Sequence, residues 1–348
     1  MPPDLFPNVL AALIRADDLP APVAEQVMDT IVRDEATPAQ IAAFAVLLRA
    51  KGETPAEIAG LAAALSRSAT PVPIDGTCVD VVGTGGDGFD TVNISTMAAL
   101  VVAGSGRRVV KHGGRSASSR CGTADLLEEL GVRIDLPAAG VAATVEACGI
   151  GFCFAPVFQP GLRHTAVPRR QLGIPTVFNL LGPLINPARP AATLLGCADA
   201  TTAPLMARVF ADRGATALVV SGDDGMDELT TSTTSTMWIA AAGRVDRRTL
   251  DPAEVGIPRS PVGALRGGDR AHNAAVVHDV LGGRSGPVRD AVLLNAAAAM
   301  VAHDSVAGPL PDVVGALAAG VELASRSVDS GAAAHTLAAW IRASNRSR

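Results

Sequence analysis

The sequence predicts an α/β protein: a small helical N-terminal domain, residues 1–72, and a larger α/β domain, residues 73–348, with a mostly parallel central sheet. Two capped amphipathic segments lie before residue 70. From residue 76, short apolar runs alternate with helical ones, the pattern of strands crossed over by helices. Glycine-rich loops follow the first two of those runs, where open α/β sheets bind ligands.

Thr37-Pro38-Ala39-Gln40 and Thr54-Pro55-Ala56-Glu57 each read as a capping box with proline at the first helical position. Behind the first, Ile41, Phe44 and Leu48 share a helical face; behind the second, Ile58, Leu61 and Leu65 do. Ser68 to Pro73 is a linker. Strands are predicted at Cys78–Val82, Arg107–Val110, Val132–Ile134 and Gly151–Ala155, and further on at Ala192–Leu195 and Ala217–Ser221. Residues 156–190 carry seven prolines and the basic group Arg163, His164, Arg169 and Arg170, which exclude a plain strand. The tail from Val288 is alanine-rich and helical, and Arg342 to Arg348 is expected to fray.

The stretch from Asp80 to Asp125 organises the rest. The first run meets a turn containing Gly83, Gly85, Gly86 and Gly88, and Asn93-Ile94-Ser95-Thr96 then opens a helix. Glycine lets backbone N–H groups crowd around an anion, and a helix N-terminus adds free N–H groups and partial positive charge. Asn93, Ser95 and Thr96 can cap that helix or bind phosphate oxygens. The second loop supplies Lys111, Arg115 and Arg120 as charges, and Ser116, Ser118, Ser119 and Thr123 as hydroxyls. One phosphate does not need so many donors, so the pair of loops points to a ligand with several. Gly83, Gly85 and Gly88 match the spacing of a dinucleotide fingerprint, but Arg107, Arg108 and Lys111 stand where that motif needs a ribose-binding carboxylate. Phe89 and Asp90 follow Gly88, which excludes the Walker pattern.

With 348 residues, 48% hydrophobic and 18% charged, the chain suits one large or two moderate domains with a sizeable core. A net charge of −5 argues against broad nucleic-acid binding and suits a small anion in a local basic loop. No tyrosine is present to act as acid, base or nucleophile. Cys78, Cys121, Cys148, Cys153 and Cys197 match no zinc spacing and read as free thiols. No signal peptide or membrane span is evident, and a cytoplasmic protein is expected. Arg169 or Arg170 can fork onto a carboxylate, of a ligand or of the chain itself. The run Gly222-Asp223-Asp224-Gly225-Met226-Asp227-Glu228 follows a strand end and reads either as a Mg2+ site or as an exposed acidic turn. His112 lies in the phosphate loop and His164 in the proline-rich segment, and no nucleophilic triad emerges.

Gly83-Thr84-Gly85-Gly86-Asp87, Asn93-Ile94-Ser95-Thr96, and Lys111-His112-Gly113 with Arg115-Ser116 and Ser118-Ser119 resemble the anthranilate phosphoribosyltransferases of tryptophan biosynthesis. The likeness continues through Lys51-Gly52-Glu53-Thr54, Gly173 to Asn179, Leu181 to Leu184 and Leu293-Leu294-Asn295, over nearly the whole chain. It implies transfer of phosphoribosyl from phosphoribosyl pyrophosphate to anthranilate, with Mg2+. In the resembled family, Gly83, Gly86, Asp87, Thr91 and Asn93 to Thr96 surround the pyrophosphate and its metal. Lys111, His112, Gly113, Gly114, Arg115, Ser116, Ala117, Ser118, Ser119 and Thr123 surround the rest of the donor. Gly83, Gly114 and Arg169 would meet anthranilate. Ser95 would serve one Mg2+, and Asp227 with Glu228 another, leaving Asp223 and Asp224 solvated. Residues 165–190 would cross into the helical domain, 73–348 would bind the donor, and the helical domain would carry a homodimer face. No catalytic acid or base is implied. Gly114 stands where the family carries asparagine, Gln159 where it often has histidine, and Ile185 where it often has threonine. Those departures fall on the acceptor side and admit a different aromatic amine as the alternative acceptor. A nucleoside phosphorylase or a nucleic-acid-binding relative fits the intact pyrophosphate motifs and the net charge less well.

Overall fold

The computed structural model describes residues 4–115, 120–308 and 312–346. Four helices come first: α1 (Leu5–Ile14), α2 (Ala21–Val32), α3 (Pro38–Lys51) and α4 (Pro55–Ser68). Both expected capping boxes form. The Thr37 and Thr54 hydroxyls accept from the N–H groups of Gln40 and Glu57, whose side chains reach back. Ile41, Phe44, Leu48, Ile58, Leu61 and Leu65 are all buried.

The remaining elements, in chain order, are β1 (Cys78–Gly83), α5 (Ile94–Gly104), β2 (Arg108–Gly113), α6 (Thr123–Glu129), α7 (Ala138–Cys148), β3 (Ile150–Phe154), α8 (Ala155–Phe158), α9 (Arg163–Leu172), α10 (Val177–Leu181), β4 (Ala192–Gly196), α11 (Ala203–Asp212), β5 (Thr216–Gly222), β6 (Ser235–Ala241), β7 (Arg244–Leu250), α12 (Arg270–Leu281), α13 (Pro287–Asp304), α14 (Val313–Asp329) and α15 (Ala332–Arg346). Seven strands form one sheet in the order β3-β2-β1-β4-β5-β6-β7. The first five are parallel, and β6 and β7 continue the sheet antiparallel.

Strand residues alternate between two faces. Val79, Val81, Val109, Leu194 and Leu218 join a core with α5 and α12 to α15. On the other face Leu195, Ala217 and Val219 pack with α11 and the N-terminal helices, and Cys78, Val110 and Cys153 with α7. The Lys51-Gly52-Glu53-Thr54 motif has structural work here. Lys51 pairs with Asp18 at 2.7 Å and Glu57 at 3.1 Å, and Glu53 pairs with Arg49, which reaches Asp199 beyond β4 at 2.9 Å.

Two expectations are corrected and one element is new. Val132–Ile134 is not a strand. Its alternating burial is strand-like, but no strand lies alongside, and the Arg133 N–H donates to Ser344 instead. The hairpin β6–β7 went unpredicted because β7 carries four charges, as suits an exposed edge strand, and its turn uses Ala242 at φ 49° before Gly243 at φ 75°. Arg342 to Arg346 continue α15, and the final two residues lie outside the described ones.

Candidate active site

β1 leads on one side to β2 and β3, and the chain returns on its other side as β4. The gap between β1 and β4 is thus a topological switch point, and the loops at the strands' C-terminal ends converge over it. Gly83 and Gly196, the last residues of β1 and β4, are register partners. The loop after β5 lies across both. A Cβ on Gly83 would fall 2.3 Å from an Asp227 carboxylate oxygen, and one on Gly196 only 1.5 Å from the Asp227 carbonyl oxygen. Glycine at both positions is what admits the acidic loop.

That loop is held from two further directions. Asn295 on α13 accepts from the Leu229 N–H at 3.0 Å and donates back to its carbonyl at 2.9 Å, which explains the Leu293-Leu294-Asn295 motif. Asp224 accepts from Thr230 and Ser232 hydroxyls and the Met226 N–H. Asp224 is therefore a loop organiser rather than a solvated carboxylate. Asp223 is exposed and accepts from Thr234 and Thr236.

Asp227 accepts from the Gly85 N–H at 2.7 Å, and its carboxyl group lies within hydrogen-bond reach of Asp87. The Asp87 Oδ1 accepts from the Phe89 N–H at 3.2 Å, but its Oδ2 is buried and finds no donor. Glu228 accepts from the Ser95 N–H, and its Oε2 is likewise buried without a partner. Burial, then the Asp87 charge, pushes Asp227 up to about 7. Burial, then Asp227 and Asp87, pushes Glu228 well above the carboxylate range. Buried, mutually repelling carboxylates, two of whose oxygens lack a donor, are the donor set a hard divalent cation relieves. Among the described residues no three His, Cys, Asp or Glu side chains form a ready cage. A cation here would complete its shell from ligand oxygens, as Mg2+ does in phosphate sites.

Lys111 and His112 sit at the end of β2, both buried. The Lys111 ammonium donates to the Val81 carbonyl. Burial lowers it to about 8 against the opposing pull of Asp80 and Glu228. Asp80, buried in the middle of β1, accepts from Asn186 at 2.8 Å and is pushed up to about 6 by burial. Burial also holds His112 down to about 4, so its ring is neutral. His112 Nδ1 lies 3.0 Å from the Gly182 carbonyl and Nε2 has no partner.

Asn93 stands at the N-cap of α5 but makes no cap. Its amide donates to the Cys121 carbonyl at 3.0 Å and accepts from Asn273 on α12 at 2.9 Å, so it ties the first loop to the second. Ile94 and Thr96 are buried, and Thr96 Oγ1 has no partner. Thr91 bridges Arg266, and the Gly267 N–H donates to Asp90 at 2.7 Å, which straps the first loop from outside. Gly86 is exposed at the turn. In the second loop, Arg115 pairs with Asp125 at 2.7 Å and Glu128 at 2.6 Å and lies over the Phe154 ring. It must exchange those partners to meet a phosphate. Gly113 closes β2, Gly114 has open space where a Cβ would stand, and Thr123 opens α6. Ser116, Ala117, Ser118 and Ser119 lie outside the described residues.

On the acceptor side, Arg169 lies on α9, which packs against α3. It is half-buried, and burial lowers its pKa with no carboxylate to oppose the shift. The own-chain ion pair left open by the sequence is therefore absent at Arg169 among the described residues. Arg170 is exposed, and His164 pairs with Asp34 at 2.8 Å. Gln159 and Ile185 are both buried, and the Gln159 amide donates to the Ile185 carbonyl at 3.3 Å.

A helical layer on a sheet whose switch point gathers glycine loops and carboxylates is the setting in which the family comparison places a glycosyl transferase. Residues 75–334 match the α/β domain of the glycosyl transferase family, and residues 7–69 match its helical bundle domain. The anthranilate phosphoribosyltransferase of Saccharopolyspora erythraea is 56% identical over 97% of this chain and 95% of its own. The solved anthranilate phosphoribosyltransferase of Thermus thermophilus is 40% identical, with a TM-score of 0.89 over 97% of this chain and 99% of that one. That of Saccharomyces cerevisiae, solved with PRPP and Mg, is 26% identical, with a TM-score of 0.88 over 98% of each chain. The chain belongs to the anthranilate phosphoribosyltransferase family.

Sequence reasoning missed Gly196 and Asn273, and it gave no role to Asp80, a carboxylate inside an otherwise apolar strand run, or to Asn295, which it met only within a motif.

Proposed function

We infer that this enzyme transfers the phosphoribosyl group of phosphoribosyl pyrophosphate to anthranilate, giving N-(5-phosphoribosyl)anthranilate and pyrophosphate in tryptophan biosynthesis. The observation that carries the reading is the switch point itself. Asp87 and Glu228 present unsatisfied oxygens beside the buried Asp227 carboxyl, beneath the glycine turn and the start of α5. Such a place suits a pyrophosphate and its counter-ion.

In this reading Gly83, Gly86, Asp87, Thr91 and the turn from Asn93 to Thr96 surround the pyrophosphate. Lys111, Arg115, Ser119 and Thr123 hold the donor's other phosphate. Asp227 and Glu228 would hold one Mg2+, and Ser95 with pyrophosphate oxygens another. Bound there, Mg2+ neutralises charge that builds on the departing pyrophosphate. The C1–O bond to pyrophosphate breaks as the anthranilate nitrogen bonds to C1, and the proton that the nitrogen sheds passes to the departing pyrophosphate or to water. The aromatic amine is already a nucleophile, so the chain's task is to align it. Arg169 would fork onto the anthranilate carboxylate. Neutral His112 offers a bare Nε2 acceptor at the end of β2.

The helical layer with residues 165–190 would then complete the acceptor pocket, and 73–348 would bind the donor. A homodimer through the helical layer and a cytoplasmic setting also fit; no cysteine is bridged, as in a reducing compartment. No helix among the described residues is long and apolar enough to cross a membrane.

The test is loss of anthranilate fluorescence on adding phosphoribosyl pyrophosphate and Mg2+ to purified protein. A fast, Mg2+-dependent loss supports the reading. No loss, with calorimetric donor binding intact, removes anthranilate as acceptor.

A further inference from the structure

A second cavity, of about 890 Å3, opens at the opposite end of the sheet. Ala191 and Thr193 at the start of β4 and Thr216 at the start of β5 line it, whereas the site above lies where those strands end. A five-residue strand separates the two by roughly 15 Å. Among the described residues, the lining includes Arg67, Arg189 and Arg213 and no carboxylate. Arg67 is satisfied by Glu25 and Asp29. The other two have only backbone carbonyls: Arg213 donates to Leu184 at 2.8 Å, and Arg189 to Ser66 at 3.4 Å. Burial lowers the Arg213 pKa, with no acidic group raising it back. Arg189 adopts a left-handed backbone, φ 48°, which is unfavourable for an arginine. Two guanidinium groups that reach solvent and hold no carboxylate therefore line one cavity wall, free to take an anion.

We propose that this cavity binds a small organic anion, its acidic head on Arg189 and Arg213 and its apolar body against Phe210, Leu184 and Ala215. Arginine forks suit carboxylate and phosphate alike, so the shared chemistry is a planar or tetrahedral oxyanion on an apolar group. Such a ligand would also lie beside Asn186, which lines the cavity and donates to Asp80 beneath Lys111.

The experiment is calorimetric titration of the full chain with phenyl phosphate and with 3-phenylpropionate, each with and without phosphoribosyl pyrophosphate and Mg2+. The two probes separate a phosphate head from a carboxylate one. Saturable binding of at least one probe is expected, unchanged by the donor pair. It should weaken roughly tenfold or more in Arg213→Gln and in Arg189→Gln, the loss of one charge-assisted contact. Arg189→Gln should keep wild-type melting, since its side chain is exposed and holds only a 3.4 Å contact; Arg213→Gln loses the bond to the Leu184 carbonyl, and its titration is run well below its own melting temperature. Competition with the donor, binding retained in both variants, or no saturation by either probe up to about 10 mM overturns the proposal. The readout is binding itself, so it stands apart from the reaction proposed above.

Discussion

Gly196→Ala tests the placement of the acidic loop directly. The new Cβ would sit 1.5 Å from the Asp227 carbonyl oxygen, 2.4 Å from its carbonyl carbon and 3.2 Å from the Glu228 nitrogen. Non-bonded carbon and oxygen need about 3.5 Å, so the loop must withdraw by about 2 Å. The obstacle is backbone on both sides and cannot swing away. Overpacking of this kind costs about 1–3 kcal/mol. A 2 Å retreat also equals about a whole Mg–O bond. Misplacement by about 1 Å can already cost about a hundredfold in rate. We therefore expect Gly196→Ala to melt a few degrees lower, lose about a hundredfold or more in turnover, and need more Mg2+ for half-maximal rate. The assay is anthranilate fluorescence loss over a Mg2+ titration, with thermal melts alongside. Gly83→Ala is the comparison: it meets a carboxylate oxygen at 2.3 Å, the end of a side chain that can rotate, so stability should suffer less than Mg2+ response. Wild-type turnover and Mg2+ response in Gly196→Ala would refute both the packing argument and the role given to Asp227 and Glu228.

Arg169→Gln should raise the KM for anthranilate by about ten- to a hundredfold, the value of a charge-assisted pair, and leave the KM for the donor unchanged; initial rates at saturating donor decide it. Asn273→Ala removes the bond to Asn93 and the acceptor of the Gly268 N–H, so the donor's KM should rise and the acceptor's should not, with a stability loss of about 1–3 kcal/mol. For pH, Lys111 is lowered to about 8, and only its charged form attracts phosphate. The kcat/KM for the donor should fall as pH rises through 8 and stay flat in Lys111→Arg, since guanidinium remains charged. Unfolding at Lys111 cannot mimic this. Its folded pKa lies below the unfolded value, so between about 8 and 10.4 the unfolded chain holds the extra proton and this group's contribution favours folding as pH rises.

Local signals were legible and distant partners were not. A capping box is complete within four residues, so Thr37 and Thr54 declared their helices. The strand-end loops were legible for the same reason, since glycines and hydroxyls flank short apolar runs. Val132–Ile134 looked like a strand because alternation reports which side chains are buried, not whether another strand lies alongside. Asn93 looked like a cap because its type and position fit. Its actual partners, Cys121 and Asn273, lie 28 and 180 residues away. Gly196 looked like an ordinary strand end; its necessity appears only when the Asp227 backbone crosses it.

The same distinction bears on the acceptor side. Gln159 and Ile185, two departures from the family pattern, are 26 residues apart in sequence and bonded in space. A buried amide needs a partner, and the Ile185 carbonyl supplies one. That carbonyl is main chain, so any residue at 185 would supply it, and the Gln159 Oε1 stays buried without a partner; the glutamine keeps an amide where the family often has an imidazole. Gly114, the third departure, removes an amide but leaves open space where a Cβ would stand, so it imposes no strain on its loop. Arg169, the group best suited to a carboxylate, keeps no competing acid of its own. Recognition of an aromatic carboxylate through one uncommitted guanidinium is compatible with all three changes, and for that reason the departures alone do not argue for a different acceptor.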